Sequence, residues 1–220
     1  LITMKMNDYI ELVNDKLNEF LQIEYPESIF KSMKYTVMLP GIRLRPVMCL
    51  ETCRVLGGEL EDAIPTACAI EMLHAQTLIH DDLPCMDNDD FRRGKPSNHK
   101  VFGEAIATLA GDALLTFAPQ VITKNSKNLS SSVLIRVLNE YFQYAGARGV
   151  IAGQVVDIES ENNTQIIDKE KTFGVLKFSA LRREVHVQNE DGSVSEEIKE
   201  RTYDLKCNTQ GRMIQVSVPA

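Results

Sequence analysis

Positive charge is in short supply in this sequence: 24 lysines and arginines face 31 aspartates and glutamates, for a net charge of −7. That deficit argues against nucleic acid as the main partner, which is met by a basic face. The five cysteines, Cys49, Cys53, Cys68, Cys85 and Cys207, are odd in number and include no C-x-x-C pair. This speaks for buried thiols in a reducing cytoplasm rather than a disulfide framework. The i, i+4 spacing of Cys49 and Cys53 leaves a zinc site with His74 or His80 as the alternative. No basic stretch followed by an apolar core stands in the opening "LITMKMNDY", so no signal peptide is expected. The most apolar stretch, 105–122, carries Asp112 and Pro119 and makes a poor membrane span. The expectation is a soluble, cytoplasmic protein with neither a membrane nor a nucleic-acid partner. With 44% hydrophobic and 25% charged residues over 220 positions, it can build one sizeable core.

What is present is mostly helical patterning. Ile10, Val13, Leu17, Phe20 and Leu21 recur at helical spacing, ending before Pro26. A second helix is expected over 27–39, stopped by Pro40-Gly41, and a third from Pro46 to Leu56, with Gly57-Gly58 beyond it. Pro65 sits in the first turn of a long fourth helix that Pro84 interrupts. Segments 103–121, 130–144 and 147–159 complete the run, and Gly149 and Gly153, one turn apart, would let two helix backbones approach closely. This is an all-α chain with short connections, the pattern of a helical bundle. After about residue 170 the character changes to alternation (Val185, Val187; Ile214, Val216, Val218) with turn signals at Asp191-Gly192 and Gln210-Gly211. That reads as strands and hairpins. The expected domains are therefore 1–169, helical, and 170–220, a β-rich tail.

The stretch "LIHDDLPCMDNDDFRRGKP" places five aspartates between Asp81 and Asp90, then reverses sign at Arg92, Arg93 and Lys95. Helical spacing sets His74, Leu78 and Asp81 on one face, with Asp82 beside it at a helix C-terminus. Carboxylates are disfavoured at that end of the helix dipole, so the pair needs a compensating cation, from a side chain or a metal. Pro84 bends the chain, and Asp87 can return to the same point. Carboxylates without His or Cys suit a hard ion such as Mg²⁺, whose shell is completed by water and phosphate oxygens. Arginine's planar fork matches phosphate. An EF-hand starting at Asp87 fails, because Arg92 stands where glycine is required. A solvated charged turn, and structural pairing of Arg92 or Arg93 with the acids, remain alternatives. A second basic element, "PGIRLRP" (Pro40–Pro46), lies just before a helix start, where anions are favoured.

Together with "PTACAIEMLHAQTLIHDD", "LAGDALL" and "GQVVD", the stretch "HDDLPCMDNDDFRRGKPSNH" resembles the first aspartate-rich motif, DDxxxxD, of the trans-polyprenyl diphosphate synthases over residues 6–165. These are the farnesyl and geranylgeranyl diphosphate synthases, transferases of isoprenoid biosynthesis. The resemblance implies a helical bundle of the isoprenoid synthase type, usually a homodimer packed through its helices. It implies condensation of isopentenyl diphosphate with an allylic diphosphate (dimethylallyl, geranyl or farnesyl). Asp81, Asp82 and Asp87 would hold Mg²⁺, or Mn²⁺ in its place, against the allylic diphosphate, which Arg92 would also grip. Arg45, His74 and Arg93 would bind isopentenyl diphosphate, and Gln154 and Asp157 match the family's GQxxD element. Taken alone, His74 could be a core histidine, Arg45 could cap a helix or pair with Glu51, and Gln154 and Asp157 could serve interhelical hydrogen bonds. Thr77 and Gln76, four and five residues before Asp81, are not aromatic, which in this family points to a product longer than farnesyl, such as geranylgeranyl.

The sequence departs from the family in two places. The basic element usually reads G-K-x-x-R-P, and Ile42 stands where lysine is expected. No adjacent aspartate pair follows Asp90, so the family's second motif, DDxxD, is missing; Lys171-Thr172 follows the GQ element too closely to match the family's Lys-Thr. From about Glu170 the tail is instead similar to a small uncharacterised protein of Gram-positive conjugative transposons. The two resemblances together imply a C-terminally truncated synthase joined to an unrelated segment, as if a mobile element had interrupted the gene. Three readings follow: a Mg²⁺-dependent prenyltransferase; a catalytically impaired fragment serving as a non-catalytic partner subunit; and an acidic metal-binding module with no isoprenoid connection.

Overall fold

A computed structural model describes residues 4–161 and, beyond them, the strands at 175–188, 194–207 and 213–217. Eight helices appear among the described residues: α1 (Met6–Phe20), α2 (Glu27–Val37), α3 (Leu44–Val55), α4 (Leu60–Asp81), α5 (Asn98–Phe102), α6 (Glu104–Asn125), α7 (Ser131–Ala145) and α8 (Val150–Glu161). A hairpin of two-residue strands, β1 (Phe91–Arg92) and β2 (Lys95–Pro96), separates α4 from α5. The tail forms β3 (Val175–Gln188), β4 (Val194–Cys207) and β5 (Met213–Ser217). The chain divides into two compact units, 1–154 and 155–220.

In the first unit α4 packs along α6 and α3, with α1 and α2 closing the sides. Tyr9, Val13 and Leu17, at i, i+4 and i+8 of α1, are all buried, as the amphipathic pattern requires. Small residues line much of the buried faces of the central pair: Ala67, Cys68, Ala69 and Ala75 on α4, and Ala107, Ala110, Gly111 and Ala118 on α6. They bring the two helices close, and the ring of His80 lies where a side chain on Gly111 would go. Leu114 and Ile122 are fully buried beside them, each stabilising the fold by roughly 1.5–3 kcal/mol. By length and composition α6 could cross a membrane. Its buried residues are instead part of the core formed with the other helices.

Several helix ends differ from expectation. α3 begins at Leu44 rather than Pro46, because Arg43 takes a left-handed N-cap conformation, φ 49°. Pro46 then falls among the first four residues, whose N–H groups have no helical partner to lose. α4 starts at Leu60 and carries Pro65 in its interior, where the ring removes one hydrogen bond of the helix ladder. α6 likewise runs through Pro119 to Asn125. Proline cannot donate to the carbonyl four residues back, and the Tyr141 hydroxyl of α7 takes over that Leu115 oxygen at 3.3 Å. Ser130 caps α7 by accepting from the Val133 N–H. The glycine expectation needs correction: Gly153 has open space where its Cβ would be, and a Cβ on Gly149 would strike the Tyr144 carbonyl. Gly149 therefore serves the tight turn between α7 and α8, not a helix crossing.

In the second unit β3, β4 and β5 pair antiparallel in that order, Val175 opposite Lys206 and Gln188 opposite Val194, with an irregularity between Ala180 and Arg183. The expected turns at Asp191-Gly192 and Gln210-Gly211, the boundary at Glu170, Val218 and Lys171-Thr172 all lie outside the described residues.

Candidate functional site

Both ends of the candidate site hang on α4. Asp81 is its last residue and Asp82 its C-cap. The turn that follows is closed by the Leu83 carbonyl, which accepts from the N–H groups of Met86 at 2.9 Å and Asn88 at 3.1 Å. The Asp87 N–H donates to the Asp81 carbonyl at 2.9 Å, so Asp87 does return to Asp81. The hairpin then reverses through Arg93 and Gly94, both at positive φ (52° and 76°), a pair of left-handed residues that suits a two-residue hairpin turn. Its far strand is tied down: the Ser97 N–H donates to the Asp90 carbonyl at 2.9 Å, and the Tyr35 hydroxyl to the Pro96 carbonyl at 2.8 Å. Asn98 anchors the next residues to α2, donating to the Ser32 carbonyl and the Thr36 hydroxyl while accepting from the Ser32 hydroxyl.

The turn sends the two neighbouring arginines to different places. Arg92 donates from Nε to Asp82 Oδ1 at 2.9 Å and from Nη2 to the same oxygen, and reaches Asp89 Oδ2 at 3.3 Å. The Asp82 side chain is only 2% exposed. Burial raises its pKa, and Arg92's hydrogen bond pulls it back down. The cation demanded at the helix C-terminus is thus supplied here by a side chain, and structural pairing holds for Arg92. Asp90 pairs with Lys100 at 2.6 Å.

Arg93 points to the basic loop instead. Its guanidinium lies over Gly41, where a Cβ would come within 2.5 Å of Nη1. Its Nη2 is 3.2 Å from His74 Nε2. A guanidinium only donates, so His74 accepts there and carries its proton on Nδ1. The His74 pKa is pushed down to about 4, first by burial and then by Arg45, which leaves it neutral. Burial also lowers the pKa of Arg93. Arg45 is exposed in the first turn of α3, and Glu51 bonds to Arg54 and Tyr9. His74 and Asp81 are seven residues apart on α4, a rise of about 10.5 Å. The structure thus brings Asp81, Asp82, Asp87 and Arg92 together at one end, and Arg93 and His74 beside the loop of Arg45 at the other. Gln154, half-buried, and Asp157, exposed, lie one turn apart on α8.

The donor set at the acidic end fits a hard divalent ion in part. Asp81 and Asp87 stand on adjoining backbone and would offer the oxygen ligands that Mg²⁺ favours; Asp82 is bonded to Arg92. Among the described residues no three His, Cys, Asp or Glu side chains form a ready-made ion cage. That includes the zinc alternative of Cys49 and Cys53 with His74 or His80; burial raises the pKa of both thiols, Cys49 to about 11.

The sequence reading missed one buried group. Arg43 and Glu71 form an ion pair at 2.8 Å with side chains 2% and 4% exposed. Its signal was a lone glutamate inside the apolar run "ACAIEML" of a core helix.

Comparison with known proteins bears on the family. A family model described as polyprenyl synthetase matches residues 26–177, and one described as a bacterial protein of unknown function (DUF961) matches 163–220. A dimethylallyltranstransferase of Fischerella ambigua is 49% identical, covering 72% of this chain and 47% of the relative. A chloroplastic geranylgeranyl pyrophosphate synthase of Catharanthus roseus is 50% identical, covering 77% of this chain and 49% of its own. A solved geranyltransferase of Legionella pneumophila superposes with a TM-score of 0.72 at 30% identity, over 75% of this chain and 59% of that one. The chain spans about half the length of these two curated relatives.

Proposed function

The chain belongs to the polyprenyl synthetase family, and from that premise we propose that its helical unit joins isopentenyl diphosphate to an allylic diphosphate (dimethylallyl, geranyl or farnesyl). The observation that carries this reading is the divergence of Arg92 and Arg93 from one hairpin turn, Arg92 to Asp82 at the end of α4 and Arg93 to His74 about two turns earlier. Two diphosphates need two cationic sites, held a fixed distance apart on one rigid element. At the acidic end Asp81 and Asp87 would hold Mg²⁺, or Mn²⁺, which when bound neutralises the departing diphosphate of the allylic substrate. Arg92, released from Asp82, would share that diphosphate. At the basic end Arg45 and Arg93 would take the second diphosphate, with neutral His74 orienting Arg93. Thr77 folds its hydroxyl back to the His74 carbonyl at 2.8 Å, and the Gln76 amide holds His80 Nδ1 at 3.0 Å. Neither forms an aromatic stop, which supports a product longer than farnesyl. Cys49, Cys53, Cys68 and Cys85 are free thiols, which suits a reducing compartment such as the cytoplasm.

A second reading is a non-catalytic partner subunit. It is favoured by the lack of an adjacent aspartate pair after Asp90. Exposed apolar side chains on α7 and α8, among them Ile135 (66%), Phe142 (58%) and Ile151 (47%), also favour it. Incubation with labelled isopentenyl diphosphate, geranyl diphosphate and Mg²⁺ separates the two. Prenyl product that disappears in Asp81→Ala supports the first. Diphosphate binding without turnover supports the second, and neither binding nor turnover removes both.

A further inference from the structure

Arg43 stands in the middle of the basic loop yet points away from the candidate substrate. Its guanidinium reaches three elements at once: Nε donates to Asn14 Oδ1 of α1 at 2.8 Å, Nη1 to Glu71 Oε1 of α4 at 2.8 Å, and Nη2 to the Leu39 carbonyl after α2 at 3.1 Å. The backbone holding it is left-handed, φ 49°, an uncommon state for a residue with a Cβ. A buried ion pair is a poor way to gain stability, since two apolar side chains of similar volume serve as well or better. A planar fork between three elements does fix geometry, because each contact has one direction. The loop it fixes carries Gly41, under the Arg93 guanidinium, and Arg45. Its partner Glu71 lies three residues before His74 on α4. Glu71 is also the acid whose charge acts on both His74 and Arg93, opposing the repulsion among Arg43, Arg45 and Arg93.

We propose that Arg43 and Glu71 are a positioning pair: they lock the loop 40–45 in register with α4, and so set the site where Arg45 and Arg93, the latter oriented by His74, take the diphosphate of isopentenyl diphosphate. This rests on the function proposed above. It does not extend to the acidic end, where Arg92 and the aspartates depend on the anchors to α2 and on the turn 82–90. Loosening the pair therefore weakens one ligand and spares the other, an asymmetry that a general loss of stability would not produce.

Arg43→Lys keeps the charge and tolerates the same backbone but gives up the fork. Titration calorimetry of the full chain with isopentenyl diphosphate, and separately with geranyl thiodiphosphate plus Mg²⁺ as an unreactive allylic probe, is the test. The expected result is a loss of roughly tenfold or more in affinity for isopentenyl diphosphate, with the allylic probe held within about twofold, the size of one to two charge-assisted hydrogen bonds. Asn14→Ala removes only the Nε contact and should show the same selective pattern at about two- to fourfold, so the test survives a misfolded Arg43→Lys. Parallel losses for both ligands that follow the fall in melting temperature would overturn the positioning role, as would unchanged affinity in both variants. Failure of the unaltered chain to bind isopentenyl diphosphate would instead remove the proposed function, and this role with it.

Discussion

Restoring the missing cation at position 42 offers a direct measurement of the basic pocket. Ile42 is 66% exposed and follows Gly41, the residue covered by the Arg93 guanidinium. Ile42→Lys therefore buries no new charge and removes no packing, and folding stability should change by no more than about 0.5 kcal/mol. The gain in binding is bounded by electrostatics. Two unit charges at 4 Å interact by about 1 kcal/mol in bulk water and about 4 kcal/mol near a protein surface. An exposed lysine beside Arg45 and Arg93 belongs near the lower bound, since repulsion in the empty pocket offsets part of what the diphosphate returns. A gain of about 1–1.4 kcal/mol, roughly five- to tenfold in Kd for isopentenyl diphosphate, is expected. It should shrink at high salt, because the contact is solvent-exposed. Calorimetric titration at low and high ionic strength measures both. Unchanged affinity at low salt, or a gain indifferent to salt, would refute the view that position 42 faces the diphosphate.

Gly111→Ala places a methyl group against the His80 ring, which is held on one side by Gln76 and on the other by the Thr108 carbonyl at 3.1 Å. A loss of about 1–3 kcal/mol is expected, seen as a lower melting temperature; an unchanged melt would show that the two helices have room to separate. His74 in the folded chain is held at about 4 against an ordinary 6.5, so the unfolded chain takes up its proton first as pH falls. Stability from this source is intact above pH 6.5 and declines toward pH 4, and His74→Gln should flatten that decline in denaturant titrations; an identical slope would count against a neutral His74. Arg92→Gln leaves Asp82 buried with a weaker partner, which should destabilise by about 2–3 kcal/mol at neutral pH. Because burial already raises the Asp82 pKa, protonation favours the folded form, and the deficit should narrow in mild acid. A deficit that is the same at both pH values would exclude Asp82 as its origin.

The sequence shows the helices because their causes are local: apolar spacing in α1, Pro84 after α4, and serine before α7. Their ends were less legible where a distant group supplies the missing partner. Nothing near Pro119 announces that Tyr141, on the next helix, will accept responsibility for the Leu115 carbonyl. The short α5 escaped notice because five residues carry no periodicity. At the site, the aspartates, the two arginines and His74 all stood out as chemistry. The division of labour between Arg92 and Arg93 did not, since it depends on the left-handed turn at Arg93-Gly94. Arg43 and Glu71 are 28 positions apart in sequence, and only the docking of the loop on α4 joins them.

Helices that meet through long side chains can slide by exchanging rotamers, and the chain between them takes up the slack. The buried faces of α4 and α6 include alanine, cysteine and bare glycine, short side chains that let the helices sit close and leave little room for rotamer exchange at close-packed density. The two helices therefore travel as one beam, and Asp81 at its tip and His74 two turns back keep their spacing. Give is left to the turn and hairpin over 82–97. Their hold is a handful of hydrogen bonds, and one of them, Arg92 on Asp82, is the one that the proposed function would have the arginine surrender to a diphosphate.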